Sequence, residues 1–364
     1  MAGLACGIVG LPNVGKSTLF NALTANQAEA SNYPFCTIDP NIGIVDLYDS
    51  RLEVLSNLSG SSKIVYANVK FVDIAGLVEG ASKGEGLGNQ FLTNIRETDA
   101  IVHVVRCFES EDIVHVSGSV DPIRDIETIN LELCLSDLQM VENALSRLDK
   151  QIKTKKELVP TYDCLSKIRD HLNQNKPVRT FTLTPEEKVL IAPYNFLTIK
   201  KVLYVANVAE SDLPSMENKY VEQVRRFAAA EGNSMIPICA RLEEEIVQLP
   251  QEERKPFLDS LGLKESGLQR LIRESFHMLD LITFLTTGEM ETRAWTIANH
   301  TLAPEAAGKI HTDIQKGFIR AEVIAYDDMV TCGGRVKARE MGKLRAEGRD
   351  YVVKDGDVII FMHH

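Results

Sequence analysis

The feature that most constrains the fold of this chain is a glycine-rich segment at residues 10–18, Gly-Leu-Pro-Asn-Val-Gly-Lys-Ser-Thr. An apolar run at residues 4–9 precedes it and predicts a buried strand, and residues 19–23 have the spacing of a helix start. A strand, a glycine-rich turn and Gly-Lys-Ser at the start of a helix form the context of a phosphate-binding loop. Gly10 and Gly15 allow the backbone to turn successive N–H groups towards an anion, and the helix N-terminus adds partial positive charge. The segment therefore predicts a nucleoside triphosphate site.

Side chains of this loop supply ligands for the phosphates and for a divalent cation. Lys16 is a point charge for the β- and γ-phosphates, and the Ser17 hydroxyl can ligate Mg²⁺, the expected cofactor. The other residues of the loop predicted to bind the nucleotide are Asn13, Val14, Gly15 and Thr18.

Composition narrows the class of protein. The 364 residues predict two or three domains, and 44% apolar with 25% charged residues is ordinary for a soluble globular chain. No run of about 18 apolar residues predicts a membrane span. Seven scattered cysteines without a CxxC pair indicate a reducing compartment, so a cytoplasmic location is expected. The net charge of −11 argues against a wholly basic nucleic-acid binder, so no membrane or DNA partner is expected and any RNA contact must be regional.

The pattern along the chain predicts an α/β fold with an insertion. Apolar strands are predicted at residues 42–46, 67–73, 100–105, 201–207 and 235–240, with helices at 18–27 and 89–97, which favours a mainly parallel sheet. Between them, apolar residues follow a heptad-like spacing over residues 131–152, and a second amphipathic stretch covers residues 162–172. These stretches predict an antiparallel helical hairpin, with Pro160 ending its first helix.

A small α+β module is predicted after about residue 279. Its strands are expected at residues 282–288, 291–297, 319–325, 350–353 and 357–362, and its helix at residues 303–311. The predicted domains are residues 1–130 with 198–277 for nucleotide binding, 131–197 for the helical insertion and 278–364 for this module.

Two basic clusters are candidate contacts to RNA. The tip lysines, near the hairpin tip, are Lys150, Lys153, Lys155 and Lys156. The C-terminal basic cluster comprises Arg335, Lys337, Arg339, Lys343, Arg345 and Arg349, with only Glu340 and Glu347 inside the same segment. Each set either contacts RNA or another acidic surface, or is simply solvated.

Further candidates for the phosphate site lie beyond the loop. Asp73 ends a predicted strand, where its carboxylate can hold Mg²⁺ through water, and the Gly76 amide can reach the γ-phosphate. Thr37, in a proline-bounded loop, is the expected second protein ligand of Mg²⁺. Loops that order around a γ-phosphate are the physical basis of a switch.

The strand end at residues 207–210, Asn-Val-Ala-Glu, favours adenine over guanine. A guanine reader of the Asn-Lys-x-Asp type uses a shorter carboxylate and a lysine stem, and this chain has Glu210 and no lysine there. Adenine presents an acceptor at N1 and a donor at N6, which a backbone N–H and C=O can satisfy and a carboxylate cannot. We therefore expect adenine to be bound by the main chain around Val208, with the Asn207 amide towards N7 and N6. A degraded guanine site is the alternative.

The residue after Gly76 bears on hydrolysis. Leu77 stands where Ras-like enzymes carry a water-positioning glutamine, and an alkyl group cannot orient water. Hydrolysis is then slow until a partner or a monovalent ion assists, or another side chain acts. His115 is one candidate base, although it also fits an ordinary, partly buried histidine, and Glu79 and Glu85 are weaker candidates.

Taken together, these motifs resemble the Obg-type GTPases related to translation factors and, within them, the YchF ATPases. Matching stretches lie at residues 10–18, 33–41, 73–88, 207–210, 293–296, 307–313 and 317–323, so the resemblance covers essentially the whole chain. It implies a P-loop domain, an inserted helical hairpin and a C-terminal β-grasp (TGS) domain. It also implies ATP preference, Mg²⁺, a hydrophobic residue in place of the catalytic glutamine and a proposed catalytic role for His115.

The resemblance further implies association with the ribosome, on the large (50S) subunit and the 70S particle. The prediction is a Mg²⁺-dependent ATPase that converts ATP to ADP and phosphate as a conformational switch, with Lys16 stabilising the transferring charge. Two alternatives stay open: a GTPase of the Obg type, and a nucleotide-gated adaptor for RNA or protein in which hydrolysis is incidental.

Overall fold

A computed structural model describes residues 5–25, 41–74, 87–110 and 118–364 of the chain. The chain divides into two compact units, the first made of residues 1–43 and 70–271 and the second of residues 44–69 and 272–364. Each unit has its own sheet.

The elements of the first unit include two strands, β2 and β4, that cross the unit boundary. Its strands are β1 (Ala5–Val9), β2 (Ile42–Leu47), β4 (Ala67–Asp73), β5 (Ala100–Arg106), β6 (Val202–Asn207) and β7 (Ser234–Ile238). Its helices are α1 (Lys16–Ala25), α3 (Leu87–Arg96), α4 (Pro122–Gln151), α5 (Val159–Leu172), α6 (Pro185–Ile191), α7 (Lys219–Ala230), α8 (Ala240–Gln248), α9 (Gln251–Ser260) and α10 (Gly267–Met278), the last of which also crosses the boundary.

The sheet of the first unit has the strand order β2-β4-β1-β5-β6-β7. β1 pairs in parallel with β4 and with β5, and β5-β6 and β6-β7 are parallel as well. Strands β1, β5 and β6 are buried along their whole length, as expected for a parallel sheet covered by helices on both faces. Their carboxyl ends place the loops after Val9, Arg106 and Asn207 along one edge, where α/β sheets bind ligands.

The heptad-like spacing corresponds to one long helix, α4, followed by the antiparallel α5. Asp121 caps the N-terminus of α4 by accepting a hydrogen bond from the Arg124 N–H, and Pro122 occupies its first turn. α4 ends at Gln151, earlier than predicted, and Pro160 lies in the first turn of α5. The expectation that Pro160 ends the first helix was therefore wrong: a proline fits the first turn of a helix because that turn needs no N–H donor there.

A separate apolar core holds the hairpin together. Val141 and Leu145 of α4 pack against Leu165 and Ile168 of α5. At its base, the fully buried Asp137 carboxylate accepts hydrogen bonds from the Leu197 and Thr198 N–H groups and from the Thr198 hydroxyl. This carboxylate therefore provides hydrogen-bond acceptors for two backbone N–H groups in the segment that leads from the hairpin back to β6.

The second unit contains the predicted C-terminal module and a segment from early in the chain. Its strands are β3 (Ile64–Val65), β8 (Leu281–Thr287), β9 (Thr292–Ala298), β10 (Phe318–Ala325), β11 (Arg345–Glu347) and β12 (Asp357–His363). Its helices are α2 (Ser50–Ser59), α11 (Ala303–Ile310), α12 (Thr312–Lys316), α13 (Tyr326–Cys332) and α14 (Arg335–Glu340). The sheet order is β11-β10-β12-β8-β9-β3, and α11 contributes Ala303, Ala306 and Ala307 to its core.

Residues 44–69 complete this second unit. β3 pairs in parallel with β9, and Arg51 of α2 binds the Asp355 carboxylate at 2.8 Å. Leu52 and Leu55 on the same helix are fully buried. The strand predicted at residues 350–353 is reduced to a single bridge between Val352 and Leu302. No helix among the described residues is both long and apolar enough to cross a membrane.

Candidate nucleotide site

The loop at residues 10–18 leaves β1 and enters α1 with two residues in the left-handed region, Asn13 at φ 62° and Gly15 at φ 93°. A Cβ at Gly15 would clash with the Asn207 amide, and one at Gly10 would lie 2.9 Å from the Val104 carbonyl oxygen. Both glycines are therefore required by close approach, and at Gly15 by backbone conformation as well. The loop has the shape that turns N–H groups towards an anion.

Asn207 joins the loop to the neighbouring strand ends. Its Nδ2 donates to the Val14 carbonyl at 2.9 Å, and its Oδ1 accepts from the Ala240 N–H at 3.0 Å. The side chain is buried, and a side-chain amide has two N–H donors. Asn207 thus positions the phosphate-binding loop, a role that the sequence alone did not indicate, in addition to its predicted role towards a base.

Lys16 and Asp73 meet beside the loop. The Lys16 ammonium forms an ion pair with the Asp73 carboxylate at the end of β4, and both side chains are largely buried. Ser17 is exposed in the first turn of α1. The Ser17 hydroxyl and the Asp73 carboxylate are the hard oxygen donors that Mg²⁺ prefers, so these residues fit the implied cation.

A cavity of about 660 Å³ adjoins a second one of about 440 Å³ that is formed by the loop. The two share Asn13, Gly15 and Thr18, and together they offer room for a base and ribose next to the phosphates. The larger cavity is lined in addition by Phe108, Glu109, Ser110, Asn207, Val208, Ala209, Glu210, Ser211, Cys239, Ala240, Arg241 and Glu244.

Contacts at the edge of the larger cavity change how we expect the base to be bound. The Val208 N–H already donates to the Ile238 carbonyl at 2.9 Å, so it cannot also donate to adenine N1. Any main-chain donor for the base must therefore come from a neighbouring residue. The Glu210 carboxylate pairs with the Arg241 guanidinium at 2.9 Å, and this contact engages the acid that a guanine site would need.

Sequence reasoning missed several other residues that line this cavity. Phe108 and Glu109 follow β5, and the Tyr220 hydroxyl at the start of α7 donates to the Glu109 carboxylate. Ala240 and Arg241 begin α8 directly after β7. The available signal was position along the chain. Phe108 and Glu109 follow the buried strand β5, Ala240 and Arg241 follow the parallel strand β7, and ligands bind at the edge where such strands end.

Two cysteines of the described residues bear on this site. Cys239 lines the cavity and Cys107 directly precedes the lining residue Phe108, and both thiols are buried. Burial raises the pKa of both thiols, so neither is a thiolate nucleophile at neutral pH.

Several predicted site residues lie outside the described part of the chain: Thr37, Gly76, Leu77, Glu79, Glu85 and His115. Their roles stay predictions. Among the described residues, no cluster of three His, Cys, Asp or Glu side chains could hold a metal ion. A cation at the loop would accordingly rely on hydroxyl, phosphate and water ligands, with the Asp73 carboxylate holding it through water.

The two basic clusters differ in the structure. The tip lysines are exposed, and none of them forms an ion pair within the described residues. In the C-terminal basic cluster, Arg335 and Arg339 share the Glu322 carboxylate at 3.1 and 3.2 Å, and Lys343 pairs with Asp328 at 3.1 Å. Arg345 pairs with Glu347 and Asp357. Acidic partners, of which Glu322, Asp328 and Asp357 lie outside the segment, therefore offset much of the charge that the sequence suggested.

Two family models match separate parts of the chain, and known proteins match it over essentially its full length. A model described as a 50S ribosome-binding GTPase matches residues 5–152, and the model YchF-GTPase_C, described as a protein of unknown function, matches residues 281–364. The chain is 52% identical over 360 residues to the ribosome-binding ATPase YchF of Bacillus subtilis, with 98% of each chain covered. It is 52% identical over 365 residues to the protein of the same name from Escherichia coli O157:H7, with 99% of each covered.

Solved structures agree with these matches. The Schizosaccharomyces pombe YchF GTPase has a TM-score of 0.89 and 36% identity, covering 100% of this chain and 99% of that one. A GTP binding protein from Pyrococcus horikoshii OT3 has a TM-score of 0.62 at 21% identity over 100% of both chains, a likeness of fold alone. The predicted P-loop fold with a mainly parallel sheet and an inserted helical hairpin is confirmed.

Proposed function

Since this chain belongs to the YchF family, we propose that it is a Mg²⁺-dependent ATPase that hydrolyses ATP to ADP and phosphate as a conformational switch and binds the ribosome. The observation that supports this best is the junction of the two cavities, where the phosphate-binding loop meets a base pocket edged by residues 207–210. The bacterial relatives are named ribosome-binding ATPases, whereas the fission yeast structure is titled a GTPase. The identity of the bound base is therefore inferred from the residues that line the pocket.

The pocket favours adenine through its charges and its hydrogen bonds. Guanine recognition of the Asn-Lys-x-Asp type needs a carboxylate that accepts from N1–H and N2–H₂. Glu210 is engaged by Arg241, and the lysine of that motif is absent. In our proposal the Asn207 amide faces N7 and N6, and the main chain beside Val208 binds the remaining edge of the base.

At the phosphate end, the triphosphate competes for Lys16. In the structure Lys16 is neutralised by Asp73, and the γ-phosphate offers it a second anion of higher charge. Lys16 then stabilises the charge of the transferring phosphoryl group as water attacks phosphorus and the β–γ bridging bond breaks. Ser17 and Thr37 are the proposed protein ligands of Mg²⁺, and Asp73, released from Lys16, would hold the ion through water. Mg²⁺ held in this way would supply positive charge that offsets the negative charge of the phosphates.

Hydrolysis is proposed to be slow in the isolated protein. Leu77 cannot orient water, and His115 is the proposed base with a partner or monovalent ion assisting. Gly76 couples the γ-phosphate to the following loop, which gives the switch. A single-turnover rate of about 1–100 s⁻¹ for the purified protein alone, the range of kinases, would contradict this proposal.

Ribosome binding is proposed to involve the large subunit and the 70S particle, in the cytoplasm. The tip lysines, which are exposed and lack ion pairs within the described residues, are the better candidates for contact with ribosomal RNA. We also propose that the module at residues 278–364 is a TGS domain, with a mixed sheet and the helix α11 packed on it.

A competition measurement between ATP and GTP tests the base assignment. We expect ATP to bind at least about tenfold more tightly, a difference of about 1.4 kcal/mol. Lys16→Ala serves as a control because it should weaken both nucleotides alike. Tighter binding of GTP by the wild-type protein would overturn the assignment and favour the Obg-type GTPase.

The adaptor alternative needs a different test. His115→Ala should stop or strongly slow hydrolysis while ATP binding persists. If ribosome association and cellular function then continue unchanged, turnover is incidental and the protein acts as a nucleotide-gated adaptor.

A further inference from the structure

Arg106 is a buried cation behind the wall of the base pocket. It ends β5 in register with Asn207 of β6, and only 1% of its surface is exposed. Arginine is rarely buried to this extent unless its charge has a specific task, because desolvating a guanidinium is unfavourable. Burial lowers the pKa of Arg106, and the Asp125 carboxylate in the first turn of α4 opposes that shift. Because a guanidinium is effectively always protonated in proteins, this buried side chain carries a positive charge.

Two contacts of this side chain converge on one residue, Phe108. The guanidinium carbon lies over the Phe108 ring, 4.7 Å from its centroid, and Nε donates to the Phe108 carbonyl at 3.1 Å. The first contact fixes the ring and the second fixes the backbone. Phe108 lines the larger cavity, so an arginine outside the cavity controls part of its wall.

We propose that Arg106 is a positioning residue for nucleotide binding, which holds Phe108 as the aromatic wall of the base pocket. This inference rests on the proposed function, because it assigns a purine base to that cavity. A cation on one face of the ring draws electron density from it, and this favours stacking of an electron-rich purine on the opposite face. A ring held in place before binding also loses less conformational freedom when the base arrives.

A double-mutant cycle on Arg106 and Phe108 tests the proposal. Arg106→Met retains length and removes the charge, and Phe108→Leu retains an apolar wall and removes the ring. We expect Arg106→Met to raise the Kd for ATP about tenfold. In the Phe108→Leu background the same substitution should add less than about twofold, because Arg106 acts through the ring.

Inorganic tripolyphosphate separates positioning from a general structural role. This probe engages the phosphate-binding loop without a base, so its Kd should be unchanged in Arg106→Met. Arg254→Met is a matched control, since Arg254 also donates to main-chain carbonyls, at Leu249 and Val247, but does not line the cavity. The Kd of the Arg254→Met variant for ATP should equal that of the wild type.

Additive effects in the cycle, or an equal loss of tripolyphosphate binding, would overturn the proposal. If Arg106→Met does not fold, Arg106→Lys replaces it in the cycle. Lysine keeps the charge and lacks the planar guanidinium, so we expect a smaller loss of ATP affinity than for Arg106→Met. That loss should again vanish in the Phe108→Leu background. The assignment of adenine has its own test, the competition between ATP and GTP, and tighter binding of GTP by the wild type would contradict it. In that case the double-mutant cycle is measured with GTP in place of ATP and still tests the role of Arg106.

Discussion

The tip lysines and the C-terminal basic cluster look alike in the sequence, where each is a run of cations with few acidic residues between them. In the structure the tip lysines are exposed at the α4–α5 connection, and none pairs with a carboxylate within the residues described. Four cations of the C-terminal basic cluster are paired with Glu322, Asp328, Glu347 and Asp357. The number of cations in a segment of the sequence therefore does not show how many of them are available to a partner, nor how many form ion pairs that stabilise the fold.

The comparison predicts that ribosome binding depends on the tip. Replacing Lys150, Lys153, Lys155 and Lys156 together by alanine should lower affinity for ribosomes by roughly 100-fold near physiological salt. The plot of log K against log salt should become shallower by about one for each lysine that reaches a phosphate. Co-sedimentation at a series of salt concentrations measures both, with the Kd for ATP as a control that should not change. An unaltered salt slope would contradict the assignment of RNA contact to the tip.

Glu322 should matter for stability instead. Only 12% of its side chain is exposed, and Glu322→Gln leaves Arg335, 21% exposed, without its carboxylate. Breaking a fully buried pair costs about 3–5 kcal/mol, but Arg339 is 64% exposed, so we expect a loss of about 1–2 kcal/mol. Urea denaturation of the wild type and of Glu322→Gln measures this loss in the free energy of unfolding. Glu340→Gln, in the same cluster, is the control and should change stability by less than about 0.5 kcal/mol. Equal stability of the two variants would show that the pairing contributes nothing.

The pH dependence of this effect has a definite sign. The hydrogen bond from Arg335, together with the positive charges of Arg335 and Arg339, holds the pKa of Glu322 below its ordinary value of 4.5. A lowered pKa in the folded state gives stabilisation that is complete above the unfolded-state value and is lost as pH falls through the folded-state value. The difference in stability between the wild type and Glu322→Gln should thus be full at pH 7 and shrink below about pH 4.5. A difference that grows towards acid pH would refute the ion-pair explanation.

The smallest effect is expected at Lys343. Its pair with Asp328 is 48% and 37% exposed, and exposed pairs contribute about 0–1 kcal/mol. Lys343→Ala should shift stability by less than about 0.5 kcal/mol and leave ribosome affinity within twofold of the wild type. A salt-dependent loss of ribosome affinity similar to that of the tip variant would place the C-terminal basic cluster in the interface and remove the distinction between the two regions.

Local signals predicted the centre of the nucleotide-binding unit well. The strand before Gly10, the helix from Lys16 and the carboxylate at the end of β4 follow from short-range patterns, and the structure brings Lys16 and Asp73 together. α2 was missed although the sequence carried its boundaries, an Asp49 N-cap and a left-handed Gly60 at its C-terminus.

Other features depend on contacts between distant residues. Phe108 and Ala240 become part of the site because β5 and β7 end at the same edge of the sheet. The Glu322 pairs with Arg335 and Arg339 form because α14 packs beside β10, and no count of charges within residues 335–349 contains that information. The strand predicted at residues 350–353 is likewise a single bridge in the structure, from Val352 to the distant residue Leu302.

The two-segment construction of the second unit has a consequence for synthesis. α2 and β3 leave the ribosome early, but β9, which β3 pairs with, follows after roughly 230 residues. At about 5–20 residues per second this interval is on the order of 10–45 s. During that time the apolar face of Leu52 and Leu55 lacks the surface that buries it in the finished protein. Nascent chains should therefore expose this helix to chaperones or proteases until β12, which lies between β10 and β8, completes the sheet.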